Sequence, residues 1–445
     1  MNVRAILKEI SKYPTALAGF IMILALVGIS IYTIIAIPLP RAVELWRGME
    51  ADWYKNPKLA APIWYNWFRK DKLPVTIDLT AASPGVKKTV TQSGDSTVID
   101  YTFDIPYNYD TYFQDFAIYF TANYQAKAPF VGIVWVTPDG RKIRLGNFAL
   151  DQQMAYRVSQ DTKLTARLNG AIANIGLFAG STFNSPTPEK GTYQLQVEGV
   201  TFENGSDFTV EPILYGSLSG WAGTDNLRRD IGIALLWGTP LALLFGLLAA
   251  VGTSLTQLII AAIGAWLGGW VDAVIQRVTE INMVLPFLAI LIMVGTFYSR
   301  SLFTILSCVI LLNIFGPSIK TFRANFIQVK ESPYIEAARS YGASNLRIIF
   351  LYMIPRLIPL LIPQFITLIP SFVFLEASLA VLGLGDPTLP TWGKLIDDSY
   401  NAGALFQGWY YWVLEPSVLL MVTGLAFSAV GYAMDRIFNP RLRGQ

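Results

Sequence analysis

The sequence predicts a polytopic α-helical membrane protein of six transmembrane helices, with an all-β domain inserted after the first. Three observations predict it. Of 445 residues, 53% are hydrophobic and only 15% charged, and the apolar ones fall in long runs, as bilayer-spanning chains require. Between the first and second runs lie β-rich pairs of segments around turn residues. Basic residues also crowd into one set of inter-run loops, following the positive-inside rule.

Composition excludes several function classes. A net charge of +3 is too weak to suggest a nucleic-acid partner. Histidine is absent, which rules out His-based catalysis, HEXXH zinc sites and His proton relays. The one cysteine, Cys308, sits in an apolar run and forbids an internal disulfide. No GxxxxGK[ST] phosphate loop occurs, so the chain is not expected to bind ATP by that route; no cofactor, metal or catalytic residue is expected in it.

The first segment, 1–40, carries Arg4, Lys8 and Lys12 before an apolar run from Tyr13 to about Leu39. At about 1.5 Å per residue that run crosses a core of about 30 Å. It is long for a signal-peptide core, and Ile37-Pro38-Leu39-Pro40 offers no small-x-small cleavage site. The expectation is a retained span with its N-terminus inside. From Arg41 to Lys72, Trp46, Trp53, Tyr54, Trp64, Tyr65, Trp67 and Phe68 alternate with basic residues. Such residues suit a membrane–water boundary, the alternative being aromatic stacking on a ligand.

Residues 41–222 form the expected inserted domain, β-rich from about Leu73 to Leu214. Turn chemistry marks it three times: Ser93-Gly94-Asp95, Thr137-Pro138-Asp139-Gly140 and Asn204-Gly205. Each lies between β-rich segments and predicts a hairpin, in a sandwich overall. Asn204-Gly205-Ser206 is also a glycosylation sequon. Asp100, Asp104, Asp110 and Asp115 are spread out, and read as solvated or turn residues rather than a calcium site.

Residues 223–445 hold the remaining spans. The run 231–270 is about 60 Å of helix, twice the core thickness. Either it is two spans hinged at Thr253-Ser254, or one span preceded by a surface segment. Charge decides. With one span, Arg277, Lys320, Arg323, Lys330, Arg339, Arg347, Arg356, Arg436, Arg441 and Arg443 join the N-terminus on one side. Only Arg300 and Lys394 occupy the short opposite loops. Asp225–Thr239 is therefore expected along the outer surface and about Pro240–Leu267 across the membrane. Later spans are expected at Ile281–Phe297, Leu302–Ile319, Leu357–Val381 and Trp412–Met434, with Val271–Glu280 a loop holding Asp272 and Glu280. Both termini are then cytoplasmic, and about 41–239 extracytoplasmic.

One polar stretch, about 331–355, separates two of these spans. Ser332 suits a helix cap and Pro333 the first helical position. Ile335, Ala338 and Gly342 share a narrow face of small residues open to close docking. Gly342 offers a left-handed stop, Ser344 a second cap, and Pro355 a break.

That stretch resembles the EAA loop of ATP-binding-cassette importer permeases. It reads Glu336-Ala337-Ala338, then Gly342, then Tyr352-Met353-Ile354-Pro355, where the family has Glu-Ala-Ala, Gly and Ile-x-Leu-Pro. Further matches follow the family order. Gly223-Thr224-Asp225-Asn226-Leu227-Arg228-Arg229-Asp230 is similar to GTDELGRD, with Arg228 for its glycine. Gly268 to Asp272 reads GGWVD. Glu376-Ala377-Ser378-Leu379, Gly383-Leu384-Gly385 and Pro390-Thr391-Trp392-Gly393 are similar to EASLSFLGLG and PSWG. Asn439 to Arg443 is similar to DPRLR. The resemblance is to the "C"-type permease of the dipeptide/oligopeptide/nickel class; the 41–222 insertion departs from it.

The resemblance implies a type I importer fold. The partners it implies are a homologous permease in a heterodimer, two ATPase subunits carrying ATP-Mg, an extracytoplasmic substrate-binding protein and membrane lipids. It implies that Glu336, Ala337, Ala338, Gly342 and Pro355 couple to the ATPase, and that the cargo is peptide or, in the same machinery, oligosaccharide. Glu376 and Trp392 read either as an outer gate or as a hydrogen-bonded structural turn. Two rivals remain. A membrane receptor binding ligand through the β domain would leave the EAA pattern unexplained. An ion-driven transporter would favour ionisable residues at mid-membrane, and the spans are nearly bare of them.

Overall fold

The computed structural model describes residues 13–48, 52–93, 96–180 and 185–438. Gly94, Asp95, Arg4, Lys8, Lys12 and the Asn439–Arg443 stretch lie outside them. The chain divides into two compact units: Met1–Arg47 with Ile233–Gln445, and Gly48–Gly232.

The helical unit begins with α1 (Pro14–Ala36) and α2 (Leu39–Arg47). It continues through α3 (Ile231–Leu267), α4 (Gly269–Val284), α5 (Phe287–Phe297), α6 (Leu302–Asn313) and α7 (Ser318–Lys330). Next come α8 (Pro333–Ser340), the long α9 (Asn345–Leu384), α10 (Trp392–Asn401) and α11 (Tyr410–Phe438). Among the described residues four helices are long and apolar enough to cross a membrane: α1, α3, α9 and Tyr410–Met434 of α11. Two further pairs, α4 with α5 and α6 with α7, meet that test only together, bent by 73° and 49°.

Helix α1 lies on α11 through small residues. A Cβ at Gly19 would stand 2.7 Å from the Ala426 carbonyl and 2.9 Å from Ala429 Cβ. Close backbone approach of this kind is how helices pack when lipid gives no hydrophobic drive between them. The buried Ser30 and Thr33 hydroxyls donate to Leu26 O and Ile29 O in the preceding turn, at 2.9 and 2.8 Å, so neither costs a lost bond.

Four expectations change here. The 231–267 run is one uninterrupted helix of 37 residues with Pro240 inside it, so 231–239 is the start of α3 rather than a separate surface segment. Val271–Glu280 is helical, within α4, and the expected 281–297 span is broken at Leu285-Pro286. The 302–319 span is likewise broken, after Asn313. Amides cover carbonyls freed near that break: Asn282 Nδ2 donates to Leu312 O at 2.9 Å, and Gln257 Nε2 to Asn313 O at 2.6 Å. Irregular backbone survives at membrane depth only when satisfied this way. Finally, Pro355 does not end its helix. A π-helical turn, Ile348–Met353, precedes it, and the wider turn absorbs the hydrogen bond the proline cannot make. α9 then carries Pro359, Pro363 and Pro370 as well.

The β unit is a sandwich of two antiparallel sheets. Its strands are β1 (Ile77–Asp78), β2 (Val86–Ser93), β3 (Ser96–Tyr107), β4 (Asp115–Asn123) and β5 (Phe130–Val136). After them come β6 (Lys142–Ala149), β7 (Gln153–Arg157), β8 (Gly191–Thr201) and β9 (Asp207–Tyr215). The sheets run β1-β9-β4-β7 and β2-β3-β8-β5-β6. Alternate residues of β3, from Ile99 to Tyr107, are buried, the period of a strand with one face in a core. Trp135 is fully buried there, stacked on Tyr193 at 5.5 Å, and donates to Leu177 O at 3.0 Å.

Two of the three expected hairpins form, β2–β3 and β5–β6. The third does not. Asn204-Gly205 joins β8 to β9, which lie in different sheets. The turn is real, with Gly205 at φ +83°, but it carries the chain across the sandwich instead of pairing its flanks.

Asp225 and Arg228 lie at the end of this unit. The Asp225 carboxylate is wholly buried, bonded to Arg229 Nε at 2.5 Å and to the Leu227 and Arg229 N–H groups at 2.8 Å. Burial pushes its carboxyl above the ordinary value, and those partners oppose the shift. Arg228 takes φ +67°, where a side chain with a Cβ is strained. Its guanidinium lies over the Tyr215 ring at 4.6 Å and donates to Asn56 O at 2.6 Å.

Candidate functional site

The 331–355 segment folds as a short helix, a turn and the start of α9. Pro333 opens α8 as expected, but the Ser332 side chain makes no capping bond; its carbonyl instead accepts from Ile335 N and Glu336 N at 2.9 and 3.3 Å. Gly342 takes φ +76°, and Ala343 N closes the stop on Ala338 O at 3.0 Å. Ser344 Oγ accepts from Arg347 N at 3.4 Å.

The face of α8 differs from the expected one. Ile335 and Ala338 are buried in this chain's own core with Phe322, Phe326, Ile348 and Ile349. Ala338 is therefore unavailable for docking. Outward stand Glu336, Ala337 and Gly342, beside Tyr341 at 91% and Leu346 at 67% exposure. The i, i+3 pattern correctly marked one apolar face, but sequence alone did not say that it turns inward.

What seats the segment is Trp266, near the end of α3, which sequence reading did not single out. It is buried, and its indole meets three successive parts of the polar segment. Nε1 donates to Asn345 Oδ1 at 3.1 Å, and the ring carries Lys330 Nζ at 5.7 Å and the Arg339 guanidinium at 5.5 Å. Lys330 Nζ also donates to Ala265 O and Trp266 O at 3.0 and 2.9 Å, where helix-end carbonyls and the dipole both favour a cation. Asp272 adds a second tie. It takes two bonds from Arg323, one of them Nε to Oδ1 at 2.6 Å, the paired geometry that fixes direction as well as distance. Glu280 takes Arg277 and Lys320 at 3.4 and 3.5 Å. A rigid block thus joins α3, α4 and α7 to α8.

Glu376 and Trp392 fall at a second place, the turn between α9 and α10. Glu376 is buried beside the Thr391 hydroxyl. A Cβ on Gly393 would come within 3.3 Å of its Oε2. Trp392 is fully buried and donates to Leu235 O at 2.9 Å, its ring so near Gly238 that any Cβ there would overlap it. Asp386 in the same turn accepts from Leu302 N at 3.1 Å, closing the start of α6. These contacts tie the turn to α3 and to the start of α6. Asn204 is exposed on the β unit.

The β unit also holds a cavity of about 460 Å³, open to solvent and lined by Arg144, Asn147, Gln160, Asp161, Lys163 and Arg167 among others. Asp161 is spent inside it, taking the Tyr156 hydroxyl and two N–H groups of the helix it caps. Among the described residues no group of His, Cys, Asp and Glu could hold a metal.

Comparison with known proteins covers the helical part. Residues 242–444 match the family described as binding-protein-dependent transport system inner membrane component. The dipeptide transport system permease protein DppC of Bacillus subtilis is 27% identical over 235 residues, 53% of this chain and 72% of that protein. The oligopeptide transport system permease protein OppC of the same organism is 30% identical, covering 50% of this chain and 72% of that protein. A peptidoglycan transport system permease protein, YejE of Agrobacterium fabrum, is 29% identical over 50% of this chain and 57% of its own. With its EAA segment, its apolar helices and these matches, the chain belongs to the binding-protein-dependent inner-membrane permeases, among the C-type subunits of the dipeptide and oligopeptide transporters.

Proposed function

We propose that this chain forms half of the translocation pathway of an ATP-driven peptide importer and receives the force of ATP hydrolysis through α8. Its partners in this reading are a homologous permease, two ATPase subunits that hold ATP-Mg, and an extracytoplasmic binding protein that delivers peptide. Both termini and α8 lie in the cytoplasm; residues from about 41 to 239 lie outside. In this reading 1–40 is the first span with its cytoplasmic lead, 41–222 the inserted domain and 223–445 the transport core.

The observation that carries the reading is the seating of α8. One face is fixed to α3, α4 and α7 through Trp266, Arg323 and the core around Ile335. The other face offers Glu336, Ala337, Tyr341, Gly342 and Leu346. A partner that pushes on the outer face moves the block as a body. Binding of ATP, which the ATPase pair holds more tightly when closed, then shifts the permease between two states in proportion to that difference.

Ala337→Asp tests it. The site is exposed, so the variant folds, yet docking would bury an unpaired charge. A cost of at least about 1.4 kcal/mol lowers ATPase association about tenfold or more. Wild-type retention of ATPase and wild-type uptake in reconstituted vesicles would refute the coupling role. Mass spectrometry of the ligand held by the copurified binding protein tests the cargo separately. Peptide is expected; oligosaccharide would change the cargo and leave the coupling intact.

A further inference from the structure

The β unit carries a rigid aromatic pad that the transport reading does not use. Trp67 and Phe68 are 80% and 81% exposed, Trp221 53% and Ile63 43%. Ile63, Trp67 and Phe68 lie on and just after one 3-10 turn, to which the Trp221 backbone is tied. Trp64 Nε1 donates to Trp221 O at 2.9 Å and the Trp64 ring meets Phe68 edge-on at 6.3 Å. Ile63 N bonds Gly220 O at 3.0 Å, and Ala61 exchanges bonds with Ser217 and Ser219 at 2.9 Å. The loop beneath is held as well. Asn66 Nδ2 donates to Leu73 O, Leu73 N to Asn66 Oδ1, and Lys72 Nζ to Asn66 O, at 2.9, 3.0 and 2.8 Å. Four large apolar side chains therefore keep apolar area in contact with water that burial would remove.

We infer that this pad is a lipid-binding surface, which rests the β unit on the headgroup layer of the membrane. Composition favours a bilayer over other occupants. The cavities of about 460 and 230 Å³ are lined by other residues. The pad's composition is that of an interfacial belt: Trp and Phe with the exposed Arg69 and Lys70 immediately beside them, rings for the acyl boundary and cations for phosphate. Within the unit the Trp221 indole is seated against Gly232, where a Cβ would stand 2.7 Å from its Nε1. The inference does not depend on which side of the membrane the unit occupies.

The test uses the assembled complex in nanodiscs of zwitterionic and anionic phospholipid. Cys308 is the sole cysteine, so in a Cys308→Ala background Phe68→Cys and Trp67→Cys each carry a single nitroxide label. Lys142→Cys, exposed on β6, is the aqueous reference. Power-saturation measurements compare collisions with oxygen, which concentrates in lipid, and with a nickel chelate confined to water. Oxygen collisions are expected to exceed nickel collisions at 67 and 68, and to fall below them at 142. Nickel accessibility at 67 and 68 equal to that at 142 would leave the pad in water and overturn the inference. Low collision with both reagents would mean that protein covers it, and would overturn it equally.

Discussion

Strand β3 buries Ile99, Tyr101, Phe103, Ile105 and Tyr107, whereas helix α1 buries Ala16, Gly19, Leu26, Ser30 and Thr33. On α1 it is Ile21, Leu24, Ile31, Ile34 and Ile35 that stand uncovered, Ile35 by 76%. In water, covering large apolar groups drives packing, so size and hydrophobicity mark the inside. In lipid the surroundings are as apolar as the side chains, so contact is won by small residues that let backbones approach. The same reading rule therefore identifies the core of one unit and the outside of the other.

The largest effect is expected where the aqueous rule holds fully. Trp135→Ala should destabilise the β unit by about 3–5 kcal/mol through lost burial and an unfilled cavity, read as an early unfolding step by near-ultraviolet circular dichroism. An unchanged unfolding profile would mean that the sandwich core is not close-packed. Next comes Arg229→Met, which strands the buried Asp225 carboxylate and should cost about 3 kcal/mol. Adding Asp225→Asn should recover much of that loss; no recovery would argue that Arg229 acts through other contacts.

The membrane side of the comparison is sharpened by a pair. Gly19→Leu forces a side chain into the α11 backbone and should cost about 1–3 kcal/mol, while Ile35→Leu should stay within about 0.5 kcal/mol. Thermal melting in nanodiscs decides, and equal effects would break the contrast. The smallest change is Trp266→Phe. It keeps the ring under both cations and removes only the bond to Asn345, worth about 1 kcal/mol. ATP hydrolysed per substrate imported should rise modestly while ATPase subunits stay bound. If ATPase subunits are lost instead, Trp266 shapes the docking face rather than transmitting through it.

Where information is local, sequence was enough. Gly342 was legible because a helix stop at left-handed φ selects glycine. The Asn204-Gly205 turn was legible as a turn but misleading as a hairpin, since turn chemistry says nothing about which sheet the next strand joins. Charge counting addressed sidedness but not where α3 begins, because polar patterning alone does not interrupt a helix. Pro355 was misread because a π turn six residues long can precede it, and nothing local announces one. Trp266 was missed for a related reason: its partner Asn345 lies 79 residues away.

Arg228 ties the 223–230 signature to the inserted unit. Its left-handed backbone costs an arginine about 1–2 kcal/mol that a glycine escapes, and the similar GTDELGRD segment has glycine there. Here the guanidinium is met by the Tyr215 ring and the Asn56 carbonyl, both supplied by the inserted unit. The inserted unit thus supplies contacts that offset the strain of the arginine's backbone. Arg228→Gly would relieve that backbone strain and give up both the ring contact and the bond to Asn56.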